Sequence, residues 1–221
     1  MTKYVLIPVY KENVNPIIDF YRHHFEDFVI LVADDYNGIL RTYFKDEEFE
    51  TMYSNDSSLR GVLLMFHWNY YKDCEYLIIN EHDIIPKIDT VLAAMHCFEE
   101  EKKHQSEEFT LASVGVNYKW NGFYCYPYHP NWHEKDEVYN KKYLDGLGDV
   151  RKIGGQGIPF SFSIWDINAF TNMYNWMPEI WKLDAEFGKF LHQNKWYFLR
   201  LLDYHVIHRN KGVSSWKDIK R

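Results

Sequence analysis

The sequence predicts an α/β fold, a single domain with a mostly parallel central sheet flanked by helices, and three observations carry that expectation. Apolar runs over 3–9, 28–33 and 76–79 read as buried strands, because consecutive bulky strand formers are covered on both faces only inside a sheet. A helical pattern opening near Asn15 separates the first two runs, so the chain begins with a βαβ unit whose right-handed crossover makes those strands parallel. At 221 residues the chain suits one sizeable domain and is too short for a second full one.

Taken in order, the first strand carries Pro8 near its end, where a missing amide donor is tolerated. Asn15 is expected to cap the first helix with Pro16 in its first turn, and Ile17, Ile18, Phe20, Tyr21 and Phe25 recur at near-helical spacing. The second strand stops at Asp34 and Asp35. Residues 36–58 are acidic and weakly periodic and read as a connection with a short helix. A helix is expected over 59–71, leading into the strand at 76–79. After Pro86, Asp89 is expected to cap a helix through Val91, Leu92, Met95 and Phe98. A strand follows at 109–116, then an irregular aromatic segment at 117–133, a polar stretch to Lys152 and a Gly-rich turn at 154–157. The remaining expected elements are a strand at 160–165, a helix capped by Asp166, a short helix at 183–192, a strand at 196–202 and a basic tail.

Composition excludes several classes. A net charge of -7 argues against a nucleic-acid binder, since phosphate affinity needs a surplus of lysine and arginine on one face. With 18 Tyr, 15 Phe and 8 Trp the chain holds more aromatics than a core needs, and such a surplus lines surfaces that stack on rings, including sugars. Cys74, Cys97 and Cys125 are odd in number and lack Cys-x-x-Cys spacing, so neither a disulfide framework nor a thiolate zinc site is indicated and a reducing compartment fits. The amino terminus lacks the apolar core of a signal peptide, and no apolar run approaches the ~20 residues that span a bilayer. The expectation is a cytoplasmic protein without a membrane span, unless this is one domain of a larger polypeptide.

The chemistry is expected where the strand at 76–79 ends in Glu81-His82-Asp83. In open α/β sheets ligands bind beyond the carboxyl ends of the strands, and alternation places Glu81 and Asp83 on one side. Converging carboxylates repel unless a cation or proton lies between them, which points to a hard divalent ion; the alternative is a solvated loop after a core strand. The glycines at 154–157 lack the Lys-Ser/Thr of a phosphate loop and precede a strand, so they read as a flexible loop rather than a phosphate cradle. His129 and His133 are spaced like a zinc pair, but Pro130 opposes a helix there.

The order of these signals resembles the GT-A glycosyltransferases. It runs from Ile7-Pro8-Val9-Tyr10, through Val32-Ala33-Asp34-Asp35 and Glu81-His82-Asp83, to the glycine-led Phe-Ser-Phe-Ser strand and Leu183-Asp184-Ala185-Glu186-Phe187. The resemblance covers about residues 3–208 and implies a Rossmann-like GT-A domain, with a nucleotide-binding part over about 1–105 and an acceptor and catalytic part over about 106–210. It implies that Pro8, Val9, Tyr10 and Asp34 or Asp35 hold the base and ribose of a nucleotide sugar, with Glu81 and His82 beside them. The family's Asp-x-Asp motif matches Glu81-His82-Asp83 with glutamate in first place. Asp83 then binds Mn2+, or Mg2+, directly, with Glu81 near the ion and His205, ahead of His208, as a third ligand, a merely packed or exposed histidine being the alternative.

The resemblance further implies a catalytic base at Asp184 or Glu186. Two residues apart on a helix they do not share a face, so one acts and the other orients, and Asp184 is favoured because Glu186 lies further into the helix. The alternative is an acidic helix start favoured by the macrodipole. Trp120, Tyr124, Tyr126, Tyr128 and Trp132, with Gly155 and Gln156, are expected at the acceptor or donor sugar, an aromatic cluster being the alternative. The expected activity is metal-dependent, inverting transfer of a sugar from a nucleoside diphosphate, UDP, to a hydroxyl of a glycan or glycoprotein. The rivals are a non-catalytic carbohydrate-binding module and a sugar-phosphate nucleotidyltransferase.

Overall fold

The computed structural model describes residues 2–9, 13–34, 37–44, 47–53, 71–106, 108–120, 123–125, 137–153, 162–176 and 193–208. β1 (Thr2–Val9), β2 (Phe28–Asp34) and β5 (Cys74–Asn80) form the expected parallel set, with β1 between the other two. α1 (Asn15–His24) joins β1 to β2. Its N-cap is Val14 and not Asn15; the Asn15 amide is instead satisfied by Asn13 Oδ1 at 3.0 Å, a short side chain doing the work of a cap from two residues upstream.

The mostly parallel, helix-flanked sheet of a Rossmann-like GT-A domain is not what forms. Residues 39–53, read as a connection, are the hairpin β3 (Ile39–Phe44) and β4 (Glu47–Tyr53), which extends the sheet antiparallel from β2. On the far side of β5, β11 (Phe162–Trp165) runs antiparallel to both β5 and β7 (Thr110–Trp120). Next comes β12 (Trp196–His208), parallel to β7 and antiparallel to β10 (Val150–Lys152), which pairs with β9 (Glu137–Val138). Two short strands, β6 (Ile84–Ile85) on β12 and β8 (Phe123–Cys125) on β7, lie off this path. Of the eleven strand pairings among the described residues only β1·β2, β1·β5 and β7·β12 are parallel. For β3–β4 and β7–β8 the reason is connection length: two residues join each pair, which permits a hairpin and forbids a crossover.

Helices among the described residues are few. Besides α1 they are α2 (Ile88–His104) and α3 (Ile167–Trp176), with single 3-10 turns at Tyr71–Asp73 and Lys142–Leu144. None is long and apolar enough to cross a membrane. The helices expected over 59–71 and 183–192 lie outside the described residues, apart from the turn at Tyr71–Asp73. α2 starts at an N-cap on Lys87 and Asp89 sits within its first turn, where its charge favours the helix dipole without capping it. Asp166 does cap α3: its Oδ1 accepts from the amides of Asn168 and Ala169 at 2.9 and 3.0 Å.

Side-chain alternation divides the core between the two faces of the sheet. Val5, Ile7, Ile30, Val32 and Ile78 face α1 and α2, where Ile17, Tyr21, Val91 and Cys97 complete the layer. Leu6, Leu31, Leu77, Ile79 and Trp165 face the other side with Ala169 and Phe170 of α3. Both faces of β1, β2 and β5 are thus covered, which is why these strands read as unbroken apolar runs. Each fully buried Leu or Ile here contributes about 1.5–3 kcal/mol.

Candidate functional site

Parallel pairing brings the carboxyl ends of β1, β2 and β5 to one edge of the sheet, and β7 and β12 deliver their carboxyl ends to the same edge. The turn carrying Glu81, His82 and Asp83 therefore shares an edge with Val9, Asp34, Asn117 and His205.

Asn80, the fully buried last residue of β5, builds that turn. Its Nδ2 donates to the carbonyls of Glu81 at 2.9 Å and Ile84 at 3.1 Å, and the Ile84 amide closes the turn on Glu81 O at 3.0 Å. Asn80 Oδ1 accepts from the Tyr21 hydroxyl at 3.0 Å, and burial alone pushes that phenol well above its ordinary pKa, so it stays a donor. Three hydrogen bonds from one amide fix the backbone on which Glu81, His82 and Asp83 sit, all three partly buried. β6 then hooks the chain onto the end of β12, pairing Ile84 with His208 and Ile85 with Ile207.

His205 stands beside the start of α2. Its Nε2 lies 2.9 Å from Lys87 Nζ; an ammonium can only donate, so Nε2 accepts and the ring is the Nδ1–H tautomer. Its carbonyl accepts from Thr90 Oγ1 at 3.1 Å. The register that places it there comes from a bulge: Leu201 pairs with Val116 but His205 pairs with Asn117, leaving 202–204 on β12 without partners in that ladder. Asn117 Nδ2 holds the bulge through Leu202 O at 2.8 Å, and Asp203 Oδ2 holds it through the Asp149 amide at 2.9 Å.

The other expected residues are placed as follows. Pro8 and Val9 pair with Ala33 and Asp34, with Val9 buried in the core. Asp34 turns its carboxylate onto its own hairpin, accepting from the Asn37 amide at 3.0 Å and Asn37 Nδ2 at 2.7 Å, with Arg41 Nη1 at 4.0 Å. Trp120 and Tyr124 belong to the β7–β8 hairpin, facing Phe123 and Lys119 in register. Tyr10, Asp35, Tyr126, Tyr128, His129, Trp132, His133, Gly155, Gln156, Asp184 and Glu186 lie outside the described residues. Among the described residues no three His, Cys, Asp or Glu side chains gather closely enough to hold a metal ion between them.

Sequence reasoning missed Asn80, Tyr21 and Lys87. Asn80 carried a signal, a polar residue directly closing the apolar run at 76–79; Lys87 carried none, because its partner is 118 residues away.

No protein-family model matches the sequence, and no curated protein does. A solved structure, that of A197 from STIV, is similar at 16% identity and a TM-score of 0.47, over 100% of this chain and 99% of that one. A likeness of that strength carries no argument.

Proposed function

We propose that the chain is a glycosyltransferase that moves a sugar from a nucleoside diphosphate, UDP, to a glycan hydroxyl with inversion, using Mn2+ or Mg2+. The observation that supports this reading is the acidic turn at the carboxyl edge, built on the hydrogen-bonded frame of Asn80 and Tyr21. A turn that carries two carboxylates at a strand end suits a hard cation whose remaining ligands come from a diphosphate and water. Magnesium and manganese sites of that kind use one or two carboxylates plus substrate phosphates. In this reading Asp83 and Glu81 hold the ion, and bound there it acts as a Lewis acid on the leaving diphosphate.

The chain's own groups do the rest. Asn80 fixes the backbone from which both carboxylates project, and in this reading that supplies the preorganisation on which differential transition-state binding depends. Lys87 stands as a cation beside the same edge, suited to a phosphate oxygen, while its contact with His205 Nε2 engages the ring atom that would otherwise serve as a ligand. Asp184 or Glu186 takes the proton of the attacking hydroxyl in this proposal.

The experiment is a titration of UDP, followed by tryptophan fluorescence, with and without manganese and repeated with Asp83→Ala. Manganese-dependent binding that Asp83→Ala abolishes supports the transferase. Silence with UDP, GDP and dTDP alike removes it and moves the weight to a carbohydrate-binding module.

A further inference from the structure

At the opposite end of β7 and β12 from the acidic turn lies a cleft of about 240 Å³, roughly eight water volumes. Its floor is Glu101 of α2, 1% exposed, which accepts hydrogen bonds from three phenols: Tyr139 at 2.7 Å, Tyr143 at 2.9 Å and Tyr197. Both carboxylate oxygens are therefore taken by the protein itself.

The walls and mouth carry the opposite charge. Lys152 Nζ lies 5.2 Å from the ring centres of both Phe109 and Tyr197, and Lys141 Nζ lies 5.2 Å from that of Tyr139. Neither ammonium has a carboxylate within 4.0 Å among the described residues, although Glu137 stands opposite Lys152 in the β9–β10 register. His104 stacks flat on Tyr143, 4.1 Å between ring centres and 8° between planes, and its Nδ1 donates to Glu100 O at 2.9 Å, which leaves Nε2 as the ring's acceptor. Ring faces hold the lysines in place without neutralising them, as a carboxylate would. Two such cations and an imidazole lie around a space of small-molecule size in a protein whose net charge is -7.

We propose that this cleft is a binding site for a small organic phosphate, the phosphate lying between Lys141 and Lys152 and the organic body against Phe109 and the tyrosine edges. The two ammoniums match a phosphomonoester's charge, and the exposed Phe109 ring gives a carbon body a surface that inorganic phosphate cannot use. The site does not depend on the reading of the acidic turn, since β7 and β12 separate the two by about seven residues of extended chain, or roughly 23 Å.

The test titrates the full chain with phenyl phosphate, inorganic phosphate and benzyl alcohol, following amide resonances by two-dimensional NMR. Phenyl phosphate is expected to saturate with shifts confined to 104–110, 139–152 and 197, at least tenfold more tightly than inorganic phosphate, while benzyl alcohol leaves the spectrum unmoved. Lys141→Gln with Lys152→Gln should weaken it at least tenfold at an unchanged melting temperature, and Phe109→Ala should erase the preference over inorganic phosphate. Absence of saturation, equal affinity for the two phosphates, or undiminished binding in the double variant would overturn the proposal.

Discussion

The Tyr21 hydroxyl donates to Asn80 Oδ1 at 3.0 Å, joining α1 to the last residue of β5 across 59 positions of sequence. Through that contact the first helix supports the turn that carries Glu81 and Asp83. Tyr21→Phe removes the donor and leaves a buried amide oxygen short of a partner, so unfolding free energy should fall by about 1–3 kcal/mol. Asn80→Asp should cost more, because it turns an acceptor-only group towards the carbonyls of Glu81 and Ile84. Urea denaturation of both variants measures the difference, and only a change in midpoint at constant slope counts as the expected result.

Asp166 serves two elements at once. One oxygen caps α3, and the other accepts from Lys102 Nζ of α2 at 2.8 Å. Asp166→Ala should therefore destabilise by about 1–3 kcal/mol, the loss of a cap plus a partly buried ion pair. Lys102→Met keeps the cap and should cost under about 1 kcal/mol, in keeping with a lysine that is 31% exposed. Guanidinium melts of the two variants separate cap from ion pair.

The phenols around Glu101 set an alkaline limit. Burial, followed by the hydrogen bonds and charge of Glu101, raises Tyr139 and Tyr197 well above the ordinary phenol range. Burial also leads the shift of Tyr143, pushed up to about 12. A phenol whose folded pKa is raised binds its proton more tightly when folded, so its contribution is complete below the unfolded value near 10 and is lost as pH climbs towards 12. Stability should accordingly begin a shallow fall at about pH 8.5, as the two buried thiols lose their contribution, and fall more steeply above about pH 10. Tyrosinate absorbance at 295 nm should rise together with loss of circular dichroism, and Glu101→Gln should shift both curves.

Cys74 and Cys97 are buried free thiols, and burial is the main cause that pushes Cys74 up to about 12 and Cys97 higher still. With almost no thiolate near neutral pH, both should resist a thiol reagent such as DTNB in the folded protein and react within the mixing time in guanidinium.

What was legible in the sequence follows burial. β1, β2 and β5 were readable because both of their faces are covered, leaving four or more apolar residues in a row. β3 and β4 were not: Ile39–Phe44 alternates buried and half-exposed positions, and Glu47–Tyr53 contains three glutamates, so β3 is fixed by its pairing with β2, and β4 owes its strand form to pairing with β3 rather than to composition. Reading them as a connection removed two antiparallel strands and helped make the sheet look mostly parallel. β12 was expected to end at 202 because Asp203, Tyr204 and His205 interrupt the apolar run; the bulge anchored by Asn117 and Asp149 carries the strand on to His208. At the edge, the abrupt end of an apolar run announced the acidic turn. The Glu101 cleft gave no local signal, since residues 101, 139, 143 and 197 meet only through the packing of α2 against β12 and the segment before β10.

The central claim is that Glu81 and Asp83 receive a divalent ion together with a nucleoside diphosphate. Paramagnetic broadening by substoichiometric Mn2+ in the presence of UDP tests it most directly, read on the amide resonances of the whole chain. The account predicts loss of the signals of Glu81, His82, Asp83 and Ile84 first, with the effect dependent on UDP and absent from Asp83→Ala. Broadening that ignores UDP, or that centres on any other part of the sheet, would contradict it.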